Sequence, residues 1–208
     1  MQEAVVLDPA GPGAGSDTPI DMAERILRAA EACIRRWGIR RVSMNDVARE
    51  AGVSRGSVYR YFDDRDALVQ AALEQVAEQR VREAEPAVRA QPTLAGKVAE
   101  AAVFIRRLAD DERTLELHEH PGEPQLATLR LASTEAMFER WVDFWIPFLA
   151  EAQGTGEVRA ELDLRRASEW IMRMLISVVT VPSVTIDLGD AAQVRSFVED
   201  HLVRGFRD

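Results

Sequence analysis

Arg55, Ser57, Tyr59 and Arg60 stand on a short segment of helical pattern, opposite the apolar Val58 and Phe62. Long polar side chains on one face of a short helix suit a helix laid in the major groove of DNA. An Arg there can donate a paired hydrogen bond to guanine, and hydroxyls can reach phosphate oxygens. The bland alternative is an ordinary helical hairpin in a core. Other chemistry is sparse. His118 and His120 are two residues apart, on different faces of any helix. They could share a metal with Glu116 or Glu119 in an extended loop; solvated loop histidines are the simpler reading. Nothing resembles a phosphate-binding glycine loop, a nucleophile elbow or a cysteine-rich zinc site. The acids are scattered and form no positioned pair. The residues therefore predict no enzyme, no cofactor and no metal.

The elements that must carry the polar face are legible around it. Ser43-Met44-Asn45-Asp46 reads as a helix start, with Ser43 as cap and an acid three residues on. Val47, Ala48 and Ala51 give that short helix its buried face, and Gly52 supplies a tight turn. Ser54 then caps the second helix. Two short helices joined by a glycine-containing turn make a helix-turn-helix. The small residues Ala48 and Gly52 are expected to let the two helices cross closely. Upstream, Ala23, Ile26, Leu27, Ala30, Cys33 and Ile34 recur at helical spacing, and Gly38 ends that helix. Cys33 lies on this stripe and reads as a buried small hydrophobe, not a nucleophile.

Charge supports a division of labour. The 208-residue chain carries −9 at neutral pH. Residues 20–62 hold nine Arg against five acids, so that segment is about +4 and the rest about −13. A basic head on an acidic body fits two partners, although a short segment can drift to +4 by chance. Lys97 is the only lysine, a bias that points to base composition of the genome rather than to chemistry. One cysteine excludes an intrachain disulfide and fits a reducing compartment. Residues 174–184, the longest weakly polar run, are too short for a membrane span, and no secretory signal pattern opens the chain. The expectation is a cytoplasmic protein with no membrane partner.

Asp46-Val47-Ala48-Arg49-Glu50-Ala51-Gly52-Val53-Ser54-Arg55-Gly56-Ser57-Val58-Tyr59-Arg60-Tyr61-Phe62, followed by Arg65 and Leu68, resembles the tetracycline-repressor (TetR) family. Nearly every position of that family's I-A-x-x-A-G-V-S-x-G-x-x-Y-x-H/Y-F-x-x-K-x-x-L pattern matches. Arg65 departs from the usual Lys. The resemblance covers about residues 21–76 and continues beyond only as size and helical pattern. It implies that Arg55, Ser57, Arg60 and Asn45 face bases, and that Ser43, Tyr59, Tyr61 and Arg65 hold phosphates. Asn suits adenine as Arg suits guanine. Tyr59 and Tyr61 could instead be packing residues.

Residues 1–19, rich in Gly and Pro, read as a flexible tail. Residues 20–66 form the DNA-binding head and 67–208 a helical body, all-α throughout. Asp63-Asp64 opens a long helix running toward Pro86, which the resemblance makes the lever between ligand and DNA. Residues 94–111, 125–152, 162–179 and 190–207 follow as helices. The stripe Met137, Trp141, Phe144, Trp145 and Phe148 is either core or, with Phe104, the lining of an effector cavity beside Pro147. Residues 170–179 are apolar almost all round and must be buried all round. Trp170, Met174, Leu175 and Val178, with Val194, Phe197, Val198 and Leu202, are expected to form a four-helix homodimer interface. The reading is a ligand-responsive repressor on a near-palindromic double-stranded operator, released by an apolar or aromatic effector. The alternatives are an activator with the same head, or a helical small-molecule-binding or enzymatic protein without operator binding.

Overall fold

The computed structural model describes residues 19–115, 123–132, 134–201 and 204–206, and among these there is no strand. Helix α1 (Pro19–Trp37) buries Ile26, Ala30 and Cys33 and ends at Gly38. Gly38 sits at φ 79°, where its N–H donates to the Ile34 carbonyl at 2.8 Å. Helix α2 (Met44–Glu50) starts at Ser43, whose Oγ accepts from the Asp46 N–H. Helix α3 (Arg55–Tyr59) starts at Ser54, which accepts from the Ser57 N–H at 3.0 Å.

Between them Gly52 adopts φ 65°, a conformation that L side chains rarely hold. A Cβ placed there would meet nothing within 4 Å. The glycine is therefore required by the turn's backbone. The close helix crossing expected at Gly52 is not what selects it.

Helix α4 (Arg65–Arg89) is capped by Asp64, which accepts from the Ala67 N–H at 2.8 Å. It passes Pro86 and gains one more turn, held by buried Val88 and the 2.6 Å Arg89–Glu85 pair. The body then comprises α5 (Leu94–Leu115), α6 (Glu123–Ala132), α7 (Glu135–Gly154), α8 (Leu164–Thr180) and α9 (Ala191–His201), with a 3-10 turn at Arg204–Phe206. Two expected helices differ. The single helix expected over 125–152 is two helices, α6 and α7, and Thr134 at the start of α7 has an extended backbone. Its Oγ1 turns to the Arg130 carbonyl and receives Gln70 Nε2 at 2.8 Å. Hydroxyl side chains compete with the helical ladder in this way. The last helix is described to His201, and Arg204–Phe206 form a 3-10 turn where helix was expected; Phe206 folds back onto the core as its carbonyl accepts from Arg159 N–H at 2.9 Å.

Two apolar clusters result. The first joins α1, α2 and α3 to Leu68, Val69 and Leu73 of α4, and reaches Leu131 of α6 and Met137 of α7. The second lies among α5, α7, α8 and α9, with Trp145, Leu149, Ile171 and Val198 at its centre. The head's packing thus crosses residue 66 and leans directly on the body. No helix among the described residues is long and apolar enough to cross a membrane.

Candidate nucleic-acid interface and ligand cavity

Val58 is fully buried and fixes the rotation of α3, so Arg55, Tyr59 and Arg60 face outward. Arg55 lies over the Tyr59 ring at 5.2 Å and donates to its hydroxyl at 3.2 Å. That pair holds the guanidinium in place before any partner arrives. Ser57 is half-buried and its hydroxyl is 2.9 Å from Ser54 Oγ. Asn45 is exposed on the first turn of α2. Tyr61 is half-buried and packs against the head's core.

Two candidates are engaged inside the protein. Ser43 Oγ caps α2 and also donates to the Asp46 carboxylate, which that hydroxyl, and then Arg49, holds below the usual carboxylate range. Arg65 Nε donates to the Val42 carbonyl at 2.8 Å, another of its nitrogens to the Ile39 carbonyl, and a third to Asp66 at 2.8 Å. It ties α4 to the loop that delivers α2. The guanidinium fork reaches two carbonyls at once and so serves as a backbone anchor at the position where a phosphate contact is expected. That loop also presents Arg40 and Arg41, both exposed, and neither forms an ion pair among the described residues. Both precede the Asp46–Leu68 motif, so local positive charge is their only mark in the sequence.

Cys33 is buried, and burial first, then the Glu50 and Asp46 charges, pushes its thiol up to about 11. At neutral pH it stays a protonated thiol.

In the body, a cavity of about 400 Å³ opens between the two clusters. Phe104, Trp141, Phe144 and Trp145 line it, with Met172 and Leu175 from α8. Met137 and Phe148, expected beside it, stand elsewhere. Met137 is in the head's cluster, and Phe148 packs in the body core under Arg89, 5.0 Å from its ring. Trp145 is 1% exposed and donates its indole N–H to Met172 Sδ at 3.2 Å. Phe144 meets its ring edge-on at 5.3 Å.

The cavity also touches the head. Ile34 and Arg35 of α1 and Ile39 of the following loop belong to its wall, as do Val76 and Arg80 of α4. Helix α6 contributes Ala127 and Leu131. The same helix reaches α4 through Arg130, 3.2 Å from Asp66, the neighbour of Arg65. A guest would therefore touch α1, α4 and α6 together.

Of the residues expected at a dimer interface, Trp170 is 48% and Phe197 42% exposed, and Met174 is half-buried. Leu175, Val178, Val194 and Val198 are buried by their own chain. Helix α8 is thus covered largely from within, by α7, α6 and α5. Leu202, like His118 and His120, lies outside the described residues, as does the tail before residue 19. No group of three His, Cys, Asp or Glu among the described residues could hold a metal.

Residues 26–72 match the family described as bacterial regulatory proteins, tetR family. An HTH-type transcriptional regulator of Mycobacterium tuberculosis is 26% identical over 191 residues, 92% of this chain and 97% of that one. A TetR-family regulator from Pectobacterium atrosepticum has a similar structure, with a TM-score of 0.65 and 20% identity, covering 91% of this chain and 97% of the other. The regulator FadR from Bacillus subtilis, solved with stearoyl-CoA, aligns with a TM-score of 0.60 and 22% identity over 88% of this chain and 98% of that one.

Proposed function

The chain belongs to the tetR family of bacterial regulatory proteins, and on that premise we propose that it is a ligand-released repressor acting as a homodimer in the cytoplasm. Residues 20–66 are the reading head and 67–208 the effector-binding and dimerising body. Arg55, Ser57, Arg60 and Asn45 read bases, and Tyr59 holds phosphate. Arg40 and Arg41 add phosphate contacts. Arg65 acts through the α1–α2 loop that it braces. The two heads of a dimer enter successive major grooves of a near-palindromic operator, about one helical turn apart.

The observation that carries this reading is the cavity whose wall runs from the aromatic body to α1 and its loop. Its volume lies within the range of small-molecule sites. A guest filling it must prefer one placement of α1 and α4 over another, and that preference is what moves the heads. Stearoyl-CoA in the Bacillus subtilis neighbour supports a largely apolar effector. Exposed Trp170 and Phe197 support a second copy.

The test is fluorescence anisotropy with a labelled duplex carrying an inverted repeat from upstream of the protein's own gene. The cognate duplex is expected to bind well ahead of a scrambled one at the same salt concentration. Equal binding of both would remove the operator reading.

A further inference from the structure

The lining of the cavity is apolar apart from Glu31, Arg35 and Arg80, with Thr128 of α6 as a neutral polar group. Arg35 comes from α1 and Arg80 from α4. Glu31, the one carboxylate among the described lining residues, is faced by Arg35 at 3.8 Å. Arg80 pairs at 2.9 Å with Glu83, which does not line the cavity. A guanidinium carries five N–H donors, so each Arg retains donors beyond these contacts. Two guanidiniums thus stand against two carboxylates, of which only Glu31 lines the cavity. An uncharged guest would leave these pairs as they are, and a cationic guest would meet the guanidiniums. A guest with one anionic end would gain charge-assisted hydrogen bonds from them.

We propose that the effector is an amphiphile with an anionic end group, its apolar part held by Phe104, Trp141, Phe144 and Met172 and its anion between Arg35 of the head and Arg80 of α4. The proposal rests on reading the cavity as the effector site. It also places the charged group at the seam between head and body. The anion competes with Glu31 for Arg35 and with Glu83 for Arg80, so binding resets pairs on the two helices that position the head.

Tryptophans in the wall report occupancy, so the experiment is a tryptophan-fluorescence titration of the full chain with four probes below their micelle-forming concentrations. The probes are decanoate, decanoyl-coenzyme A, decanol and decyltrimethylammonium. At least one of the two anionic probes is expected to bind about tenfold or more tightly than decanol, as hydrogen bonds to charged groups are worth. Tighter decanoate assigns a carboxylate as the anion, and tighter decanoyl-coenzyme A assigns phosphate. Arg80→Gln and Arg35→Gln should each weaken the anionic probes more than decanol, and so shrink the anionic preference. Equal binding of decanol and the anions, or preference for the ammonium, overturns the proposal and leaves the cavity reading intact. If no probe binds, the cavity reading falls with it. The four-probe comparison uses the unaltered protein, so it does not depend on either variant folding.

Discussion

Arg55 and Arg65 carry the same charge and do different work. Arg55 rests on the exposed Tyr59 ring, outside the core. Arg55→Ala should leave the melting temperature nearly unchanged and cost about 1–3 kcal/mol on the cognate operator, with relaxed preference at one base. Equal losses on cognate and random duplexes would make it a phosphate contact. Arg65 spends its fork on the carbonyls of Ile39 and Val42. Arg65→Ala should lower stability by roughly 1.5–3 kcal/mol, the range for hydrogen bonds to a charged group, and weaken binding to all sequences alike. Thermal denaturation separates the two roles: an unshifted melt for Arg65→Ala would return it to the phosphates. Cys33 gives a third test at this scale. Its thiol, raised to about 11, stays protonated at pH 7–8. Iodoacetamide should therefore label the native protein far more slowly than the urea-unfolded one, and equal rates would mean that α1 opens freely. The Arg65 role was hidden from the sequence because its acceptors lie 23 and 26 residues upstream. The α3 face was legible because caps, turn glycine and polar residues all lie within a few residues of one another.

At the scale of elements, legibility follows the range of the forces involved. The ends of α2, α3 and α4 are set by side chains one turn away, Ser43, Ser54 and Asp64, and these can be read from spacing. The break between α6 and α7 is held by Gln70 of α4 reaching Thr134, a tertiary contact that apolar periodicity cannot reveal. The aromatic stripe of α7 is divided by the same principle. Period alone puts Met137, Trp141, Phe144, Trp145 and Phe148 on neighbouring faces; only the packing of α5 and α8 decides which border empty space. This yields a contrast between two tryptophans. Trp145 is enclosed by Phe144, Phe148 and Met172, so Trp145→Ala should cost about 3–5 kcal/mol of stability. Trp141 is half-buried and lines the cavity. Trp141→Ala should cost less stability and change effector affinity more, while operator affinity without effector stays near that of the unaltered protein. Titration with a cavity-binding probe, beside a melt of each variant, reads both. A Trp141 variant with unaltered probe affinity would remove that side chain from the site.

At the scale of the molecule, burial within a chain and burial between chains look alike in a sequence. An almost wholly apolar stretch such as residues 170–179 of α8 announces only that it must be covered. The fold divides that cover: Leu175 and Val178 face their own core, whereas Trp170 and, on α9, Phe197 keep nearly half their surface in water. These two side chains are the candidates for the surface that the proposed second copy would cover. Charge fits the same arrangement, because the acidic remainder of the chain repels DNA and leaves only the basic heads to approach it. The two classes of residue then separate experimentally. Leu175→Arg places a charge in the chain's own core and should unfold it. Phe197→Arg places the charge at the outer face, so circular dichroism should remain that of a folded helical protein while sedimentation shifts from dimer to monomer. Each isolated head would then bind one half-site without the gain that linkage of two heads supplies, commonly about 100-fold or more. Operator affinity should fall steeply, and affinity for a single half-site should not. A folded Phe197→Arg protein that still sediments as a dimer would move the interface off α9. An unaltered protein that is monomeric at micromolar concentration would remove the dimer, and with it the palindromic operator.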